Sequence, residues 1–282
     1  MLFFNRGPRV PVLRFSGPIG MATPLRPGLT GASVAAAIRK AFTMSKTPAV
    51  AIAINSPGGS PVQSSLIFKL IRQHAGEQKK KVYVFCEDVA ASGGYYLAVT
   101  GDEIYADASS IVGSIGVISA SFGFDKAIER LGIDRRVYTA GENKGTLDMF
   151  LAEKADDVMR LKALQRDVHD VFIGVVKDRR AGRLKGPDGE LFSGAFWSAR
   201  QALDYGLIDG IADMRSKMRE LFGDKVRLET VPLARGGLLS RLRRLPSISG
   251  EAGTHMGSGR LALADDLVSA VEARALWSRF GL

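Results

Sequence analysis

The sequence predicts an α/β protein whose core is a parallel sheet with βαβ crossovers and packed helices. Short unbroken apolar runs at residues 49–54 and 82–86 are typical of strands that are covered on both faces. Stretches with helical periodicity follow these runs at short intervals, and this alternation favours right-handed crossovers between parallel strands. With 282 residues, of which 46% are hydrophobic, the chain is large enough to bury such a core.

The first hundred residues carry most of this alternation. A strand that runs into a turn is expected first, and an alanine-rich helix with Val34, Ile38 and Phe42 on one face follows it. The loop of residues 55–60 contains Pro and two glycines, so it ends the second strand. In chain order we expect a strand at 11–20, a helix at 32–44, a strand at 49–54, a helix at 65–75, a strand at 82–86 and a helix at 91–99.

The second half is more irregular. A long helix is predicted from its apolar stripe, which we assign to core or subunit packing, and Gly206 suits the position just after a later helix. The stripe consists of Val158, Leu161, Leu164, Val168, Val171, Phe172 and Val175. We expect strands at 103–106, 111–118, 136–139 and 226–231 and helices at 125–131, 153–180 and 198–205.

The composition changes near residue 233. Residues 1–232 are predicted to form one domain, the Gly-, Ser- and Pro-rich residues 233–260 a linker, and residues 261–282 a helical extension. The basic, leucine-containing tract at 235–245 suggests peripheral contact with an anionic membrane. A solvated linker is the favoured interpretation of that tract, because Gly and Pro flank it.

Bulk properties narrow the function classes. The net charge of +10 suits a soluble basic surface, and the basic residues lack the interleaved aromatics of a nucleic-acid binder. Cys86 is the single cysteine, so an intrachain disulfide is excluded and a buried, inert thiol is expected. No apolar run reaches the roughly 18 residues of a membrane span, and the N-terminus does not resemble a signal peptide. We therefore expect a cytoplasmic or membrane-associated protein.

Ser92 and Lys144 are the strongest candidates for catalysis. Ser92 lies in Ala-Ala-Ser-Gly-Gly-Tyr-Tyr directly after a predicted buried strand, so the strand delivers a serine into a glycine-rich turn that opens a helix. A serine hydroxyl needs a base to take its proton, and a neutral lysine can act as that base. The pair indicates a Ser-Lys hydrolase, provided that burial lowers the pKa of the lysine from its usual value of about 10.4.

Glycines and a second serine complete this hypothesis. Backbone N–H groups must receive the oxyanion that forms on the attacked carbonyl, and Gly93 with either Gly58 or Gly59 could supply them. Ser114 lies between Gly113 and Ile115 and could orient the lysine amine. Each feature alone is common, since a serine before two glycines is usually a helix cap.

The combination of motifs resembles the signal peptide peptidase A (SppA/SohB-like) family of serine peptidases, within the Clp protease/crotonase superfamily. The resemblance spans most of residues 10–231. The matching segments are Ile-Asn-Ser-Pro-Gly-Gly at 54–59, Ala-Ala-Ser-Gly-Gly-Tyr-Tyr at 90–96, Gly-Ser-Ile-Gly-Val at 113–117 and Gly-Glu-Asn-Lys at 141–144.

The resemblance implies a crotonase/Clp protease-like fold and a role for each site residue. Ser92 would be the nucleophile, Lys144 the general base and Ser114 the residue that hydrogen-bonds the lysine. The oxyanion hole would be formed by Gly93 with Gly58 or Gly59. The family forms ring- or dome-shaped homo-oligomers in which one subunit can complete the pocket of the next. Its peptide substrates are signal-peptide remnants and other unfolded, apolar segments. Many members carry an N-terminal membrane anchor, whereas no such anchor is expected from this sequence.

Three alternatives remain at this stage. A Ser-His-Asp hydrolase would need a base from His74, His169 or His255, of which the first two lie in predicted helices and the third in the linker. An acyl-CoA hydratase or isomerase would need acidic residues near the oxyanion hole, where only Glu87 and Asp88 come close in sequence. A catalytically weak member could serve as a membrane-associated scaffold. No metal-ligand cluster or nucleotide-binding motif is present, so no metal and no cofactor are predicted.

Overall fold

A mainly parallel sheet organises the computed structural model, which describes residues 7–21, 28–233, 271 and 274–282. The main path of this sheet has the strand order β6-β5-β3-β2-β1-β8, and β4 pairs with both β3 and β7. Every pairing is parallel except that between β5 and β6. The predicted fold class is thus confirmed. Within the described residues the strands are β1 (Arg9–Ser16), β2 (Ala49–Ser56), β3 (Lys81–Ala91), β4 (Glu103–Ala106), β5 (Ile111–Gly113), β6 (Phe196–Ser198), β7 (Gly210–Ile211) and β8 (Arg227–Thr230).

Helices fill the crossovers between the parallel strands. Thr30 and Ser60 cap the first two helices, and Pro61 occupies the first turn of the second, where its missing N–H costs nothing. In the part of the chain that is described, the helices are α1 (Gly31–Thr43), α2 (Pro61–Glu77), α3 (Gly93–Ala98), α4 (Asp125–Arg130), α5 (Ala155–Arg179), α6 (Asp188–Leu191), α7 (Ala199–Asp204) and α8 (Met214–Phe222).

The central strand β3 has three neighbours. Its whole length lies beside β2, its first half pairs with β4 through Cys86↔Ala106, and its last residues pair with β5 through Ala91↔Gly113. Continuous apolar sequence explains this position, because a strand covered on both faces has no polar side to turn outward. The carboxyl ends of β2, β3 and β5 therefore meet at one edge of the sheet, where α/β proteins usually form their sites.

The two faces of the sheet are covered unequally. The larger cluster packs α1, α2 and α3 on one face through residues such as Ile38, Ile67 and Leu97, all fully buried. A smaller cluster on the other face includes Val12 and Met218, with α8 as its cover. Cys86 lies in the larger cluster, and burial, assisted by the charge of Glu87, raises its pKa to about 12. Its thiol is therefore buried and inert, as predicted.

Several predicted element boundaries are wrong; for example, α2 begins at Pro61 instead of residue 65. Strand β3 continues to Ala91 instead of ending at Cys86, because Glu87 forms an ion pair with Arg14 and Asp88 accepts a hydrogen bond from Asn55. The helix expected from residue 91 begins at Gly93. Strand β5 ends at Gly113 rather than 118, where the chain turns through a positive φ of 51° at Ser114.

The segment around Lys144 also departs from expectation. Residues 136–139 form no strand: Val137 and Tyr138 are 43% and 91% exposed, and no strand pairs with them. The apolar stripe of α5 is buried in the core at only some of its positions. Phe172 is buried, whereas Leu164 and Val171 are about 60% exposed (61% and 60%). The short elements α6, β6 and β7, and the helix α8, had not been predicted.

Several predictions fall outside the described residues. The linker at 233–260 is described only at residue 233, the extension at 261–282 only at 271 and 274–282, and neither the basic tract at 235–245 nor His255 is described. Across the described helices, none combines the length and apolar character that crossing a bilayer requires.

Candidate active site

Ser92 occupies a constrained turn between β3 and α3. Its backbone has φ 52° and ψ −122°, a combination that costs a non-glycine residue about 1–3 kcal/mol and is found mainly at functional sites. Two backbone hydrogen bonds hold it: its N–H donates to the Gly113 carbonyl at 2.8 Å, and its carbonyl accepts from Tyr96 N–H at 2.9 Å. The end of β5 thus fixes the residue that follows β3.

The Ser92 hydroxyl is not used as a helix cap. Ser92 takes the N-cap position of α3, yet its side chain makes no capping hydrogen bond. Ser92 therefore does not have the usual structural role of a serine before two glycines, which is to cap a helix. A partly exposed hydroxyl at a strained strand-to-helix turn has the geometry in which serine nucleophiles are presented.

The glycine loop after β2 lies against Ser92. A Cβ built on Gly58 would be 2.8 Å from the Ser92 Cβ and 2.9 Å from the Gly93 nitrogen. Gly58 and Gly59 have φ values of 104° and 139°, which a side chain would strain. Hydrogen bonds of 2.8 Å and 2.9 Å join Gly58 O and Ser60 N to Ile19, so the loop is anchored to the chain after β1.

Two backbone donors remain unused beside Ser92. The Gly58 N–H donates to Ser56 Oγ at 3.2 Å. In contrast, the N–H groups of Gly59 and Gly93 have no acceptor among the described residues. These two glycines are close, since a Cβ on Gly93 would be 3.3 Å from the Gly59 nitrogen. Two adjacent free N–H groups next to a serine hydroxyl are the donor arrangement that an oxyanion requires.

An apolar cavity of about 280 Å³ opens on one side of Ser92. Helices α2, α3 and α5 supply its walls, and Tyr96 and Phe172 pack against each other with ring centroids 5.0 Å apart. Such a cavity suits an aliphatic or aromatic side chain. It is lined by Gly59, Pro61, Val62, Ser64, Ser65, Leu66, Lys69, Ser92, Gly93, Tyr96, Gly116, Val117, Val168, Val171 and Phe172.

A second, polar cavity of about 340 Å³ also borders Ser92. Ser114, which is buried, shares it with Ser92, so the structure brings these two predicted residues together. The Ser114 N–H donates to the Ala195 carbonyl at 2.7 Å, which fixes the turn after β5. The lining residues are Ser92, Ser114, Gly116, Val117, Ile118, His169, Ser193, Gly194 and Arg279.

His169 and Arg279 are the residues of this cavity that sequence reasoning missed as neighbours of Ser92. His169 lies on α5, and its Nε2 is 2.9 Å from the Ile115 carbonyl oxygen. Because a carbonyl only accepts hydrogen bonds, His169 donates this one from Nε2. Helical periodicity placed His169 on a polar helix surface, but no local pattern could show which loop that surface faces.

Lys144 is not at either cavity of its own chain. It is exposed in an irregular loop, where its N–H donates to the Gly141 carbonyl at 3.2 Å. Its neighbours Glu142, Asn143 and Gly145 line a separate cavity that does not include Ser92. The burial that a neutral lysine requires is therefore not provided around Lys144 by the described part of one chain.

The remaining ionisable groups near Ser92 are unsuited to proton transfer. Lys69 also lines the apolar cavity with Ser92, but it is exposed and so lacks the burial that a neutral lysine requires. Burial raises the pKa of Tyr95, whose hydroxyl donates to the Leu207 carbonyl at 2.7 Å. Glu87 and Asp88 are committed to Arg14 and Asn55 and line neither cavity, so the acidic residues needed by an acyl-CoA hydratase are missing from this edge. No three His, Cys, Asp or Glu side chains cluster as metal ligands among the described residues.

Comparison with known proteins gives a consistent family match. The family model described as "Peptidase family S49" matches residues 74–225, which include Ser92, Ser114, Lys144 and His169. A putative protease of Synechocystis is 32% identical over 66% of this chain and 68% of its own length. "Protease 4" of Haemophilus influenzae is 29% identical over 67% of this chain and 30% of its own length.

A relative from Brucella abortus has a different kind of name. It is called "Na(+)/H(+) antiporter NhaA" and is 54% identical over 97% of this chain. This chain spans only 37% of that relative's length, so the name belongs to a much longer protein. The family match rests on the matched region itself.

Proposed function

The chain belongs to peptidase family S49, the SppA/SohB-like serine peptidases, and from this premise we propose that it is a serine endopeptidase whose nucleophile is Ser92. One observation carries the proposal: Ser92 is held in a strained turn with its hydroxyl free of any capping bond. The unused donors of Gly59 and Gly93 lie directly beside it. The hydroxyl supplies the nucleophile and the two free donors the oxyanion site, so acyl transfer needs in addition only a base.

Gly93 and Gly59 are the proposed oxyanion donors. The sequence left Gly58 and Gly59 as alternatives, and two contacts favour Gly59. The Gly58 N–H already donates to Ser56 Oγ, whereas that of Gly59 has no acceptor in the described chain. Loss of one such donor typically costs 10²–10³-fold in rate, about 2.7–4 kcal/mol. Gly58 then has a different role, which is to let the loop approach Ser92 closely.

Lys144 is the proposed general base, and it would act on the Ser92 of a second copy. The exposure of Lys144 in its own chain supports this arrangement. Large exposed apolar side chains are also frequent in residues 118–171, the stretch of chain that contains Lys144, which favours burial against another subunit. These side chains are Ile118, Phe122, Phe124, Leu131, Ile133, Val137, Tyr138, Leu147, Met149, Leu151, Met159, Leu164 and Val171. A homo-oligomeric ring or dome would cover them and carry Lys144 towards Ser114 of the neighbour.

His169 is a second candidate for the base. It already shares the polar cavity with Ser92, and in the neutral ring that donates from Nε2, Nδ1 can accept a proton. The Ile115 carbonyl would then orient the ring in place of the usual carboxylate. This alternative needs no second subunit, so the two candidates make different predictions.

The proposed reaction is acyl transfer to Ser92. The base takes the hydroxyl proton while Ser92 Oγ attacks the peptide carbonyl, and the oxyanion accepts hydrogen bonds from Gly59 and Gly93. The C–N bond breaks as the protonated base gives its proton to the leaving amine. Water, activated by the same base, then hydrolyses the acyl-enzyme ester and restores Ser92.

The apolar cavity supports unfolded, apolar peptide segments as substrates, including signal-peptide remnants. Its walls from Leu66, Tyr96 and Phe172 match an aliphatic or aromatic side chain next to the scissile bond. A scaffold without catalysis would have no need of the strain at Ser92. Peripheral contact with a membrane through residues 235–245 remains a separate prediction.

A peptidase assay on single variants tests the proposal. Ser92→Ala should abolish turnover and labelling by a fluorophosphonate, whereas a scaffold would show neither in the parent protein. Lys144→Ala should abolish turnover if lysine is the base, and His169→Ala should do so if histidine is. Activity that survives Ser92→Ala would overturn the function itself, and turnover of a CoA thioester would favour the acyl-CoA alternative.

Co-expression separates the two bases further. Neither Ser92→Ala nor Lys144→Ala chains can act alone, but a mixed oligomer can pair Ser92 of one variant with Lys144 of the other. With random equal mixing, about a quarter of the inter-subunit sites would be intact, so about a quarter of the parental activity should return. No recovery in a mixed oligomer would contradict a site shared between subunits.

A further inference from the structure

The C-terminal segment, residues 274–282, packs on the strand that delivers Ser92. Phe280 is only 8% exposed and contacts Val89 and Ala91, the last residues of β3 before the active turn. Its ring meets that of Phe196 edge-on at 5.2 Å, and Trp277 packs against the same cluster. Because two aromatic residues anchor it, this segment has a defined position beside the site.

The anchoring brings Arg279 into the polar cavity. Arg279 directly precedes Phe280 and lines the cavity together with Ser92, Ser114 and His169. No acidic residue lines this cavity, and the Arg279 guanidinium forms no ion pair with any described residue. A concave site with a permanent cation and no nearby carboxylate attracts anions.

We propose that Arg279 makes the polar cavity a binding site for a carboxylate of the peptide substrate. The inference rests on Ser92 being the nucleophile, since it places the carboxylate in the polar cavity beside Ser92 and the apolar side chain in the other cavity. A guanidinium presents a planar pair of donors that matches a carboxylate. The carboxylate comes either from an Asp or Glu side chain or from the free C-terminus of the peptide.

The two cavities together predict a preference for peptide substrates that carry both an apolar side chain and a carboxylate. Ser92 belongs to both of them, so a bound chain passes from the apolar walls around Tyr96 to the cationic wall at Arg279. Arg279 is itself exposed, and water weakens a charge pair at such a position. The expected effect is therefore modest, about 2- to 5-fold in kcat/KM.

Matched peptides test the proposal on the full chain. One set of pairs differs by Glu or Gln at each position on either side of the cleaved bond, and another pair differs by a C-terminal acid or amide. The parent should prefer the charged member of at least one pair, and which pair it is identifies the source of the carboxylate. Arg279→Gln should remove the preference, Arg279→Lys should keep part of it, and Arg274→Gln, an exposed change in the same segment, should leave it intact.

Three outcomes would overturn the inference. They are no preference in the parent, a preference that survives Arg279→Gln, and an equal loss on charged and neutral peptides, which would mean a purely structural role. Peptide affinity measured by fluorescence anisotropy in a Ser92→Ala background should show the same dependence on Arg279. This binding measurement needs no turnover, so the carboxylate site can be judged even if the parent protein proves not to be a peptidase.

Discussion

The backbone of Gly58 lies so close to Ser92 that a Cβ at position 58 would be 2.8 Å from the Ser92 Cβ. The loop after β2 and the turn after β3 are therefore in direct contact, and the contact exists only because residue 58 has no side chain. The free donor of the next residue, Gly59, is held beside the Ser92 hydroxyl as a result.

Gly58→Ala should damage both stability and activity. The added Cβ would clash with Ser92 and with the Gly93 nitrogen, and φ of 104° is unfavourable for alanine. We expect the free energy of unfolding to fall by about 1–3 kcal/mol and peptidase activity by about 10²-fold or more. Urea denaturation and a peptide assay measure the two effects.

Gly76→Ala is the matched control for this change. Gly76 lies in α2 without a positive φ, and a Cβ there would meet nothing within 4 Å. This variant should gain up to about 1 kcal/mol in stability and keep full activity, since alanine favours helix more than glycine does. If the two variants behaved alike, the close approach at Gly58 would not matter.

Ser92→Gly should be more stable than Ser92→Ala although both are inactive. The left-handed backbone at Ser92 strains any residue with a Cβ, and glycine relieves that strain. We expect the glycine variant to exceed the alanine variant by about 1–2 kcal/mol in the free energy of unfolding. Equal stabilities in parallel urea titrations would argue against strain at the nucleophile.

Asp209→Ala should destabilise the fold strongly. Arg180 is 1% exposed, and Asp209 neutralises it through bonds of 2.8 Å and 3.0 Å while also accepting the Ile104 N–H. Removing the carboxylate leaves a buried cation unpaired, which typically costs about 3–5 kcal/mol. Arg183→Ala breaks exposed contacts with the same aspartate and with the Asp102 carbonyl, so it should cost about 1 kcal/mol or less. Thermal or urea unfolding would show whether the two losses differ as expected.

Asp102 should make stability depend on pH. Burial alone would raise the pKa of Asp102, but the Val82 N–H and the guanidinium groups of Arg179 and Arg72 outweigh burial and hold that pKa below its usual value. The stabilisation is therefore complete above the unfolded pKa of about 3.9 and is lost as pH falls through the lower folded pKa.

Urea titrations of the parent and of Asp102→Asn can isolate this contribution. The difference in the free energy of unfolding should stay constant from pH 7 to about 5 and should shrink below about 4. A difference that is the same at pH 3 and pH 7 would show that the charge of Asp102 contributes nothing.

Local periodicity predicted the central strands well and their ends less well. Strand β4 begins and ends as expected, because a short apolar run carries its own signal. The polar pair Glu87 and Asp88 looked like the end of β3, but partners 73 and 33 residues away in sequence satisfy them within the strand. Residues 136–139 have strand-like composition and no neighbouring backbone to pair with. Whether such a segment forms a strand depends on pairing with a distant segment of the chain. A single sequence does not show which segments pair.

The site was predictable where a motif carries its own geometry. Ser92, Gly93 and the glycine loop form a strand-to-helix turn whose chemistry follows from adjacent residues. The nearness of Ser114 to Ser92 depends on β5 pairing with β3, and the places of His169 and Arg279 depend on how α5 and the C-terminal segment pack. Neither the packing of α5 nor that of the C-terminal segment can be recognised from a local sequence pattern. The position of Lys144 relative to the site could not be predicted in this way, because the Ser92 on which it is proposed to act belongs to another copy of the chain.

Strands β1, β3 and β4 each pair with a strand that comes later in the chain, and this has a consequence for synthesis on the ribosome. The turn at Ser92 closes only when the Gly113 carbonyl has been made, and β1 and β4 gain their outer partners only with β8 and β7, much later in the chain. We therefore expect a nascent chain to emerge with open strand edges that attract chaperones, and to lack a competent nucleophile until residue 113 has left the exit tunnel. Such a delay would keep a peptidase of this design from acting on neighbouring nascent chains.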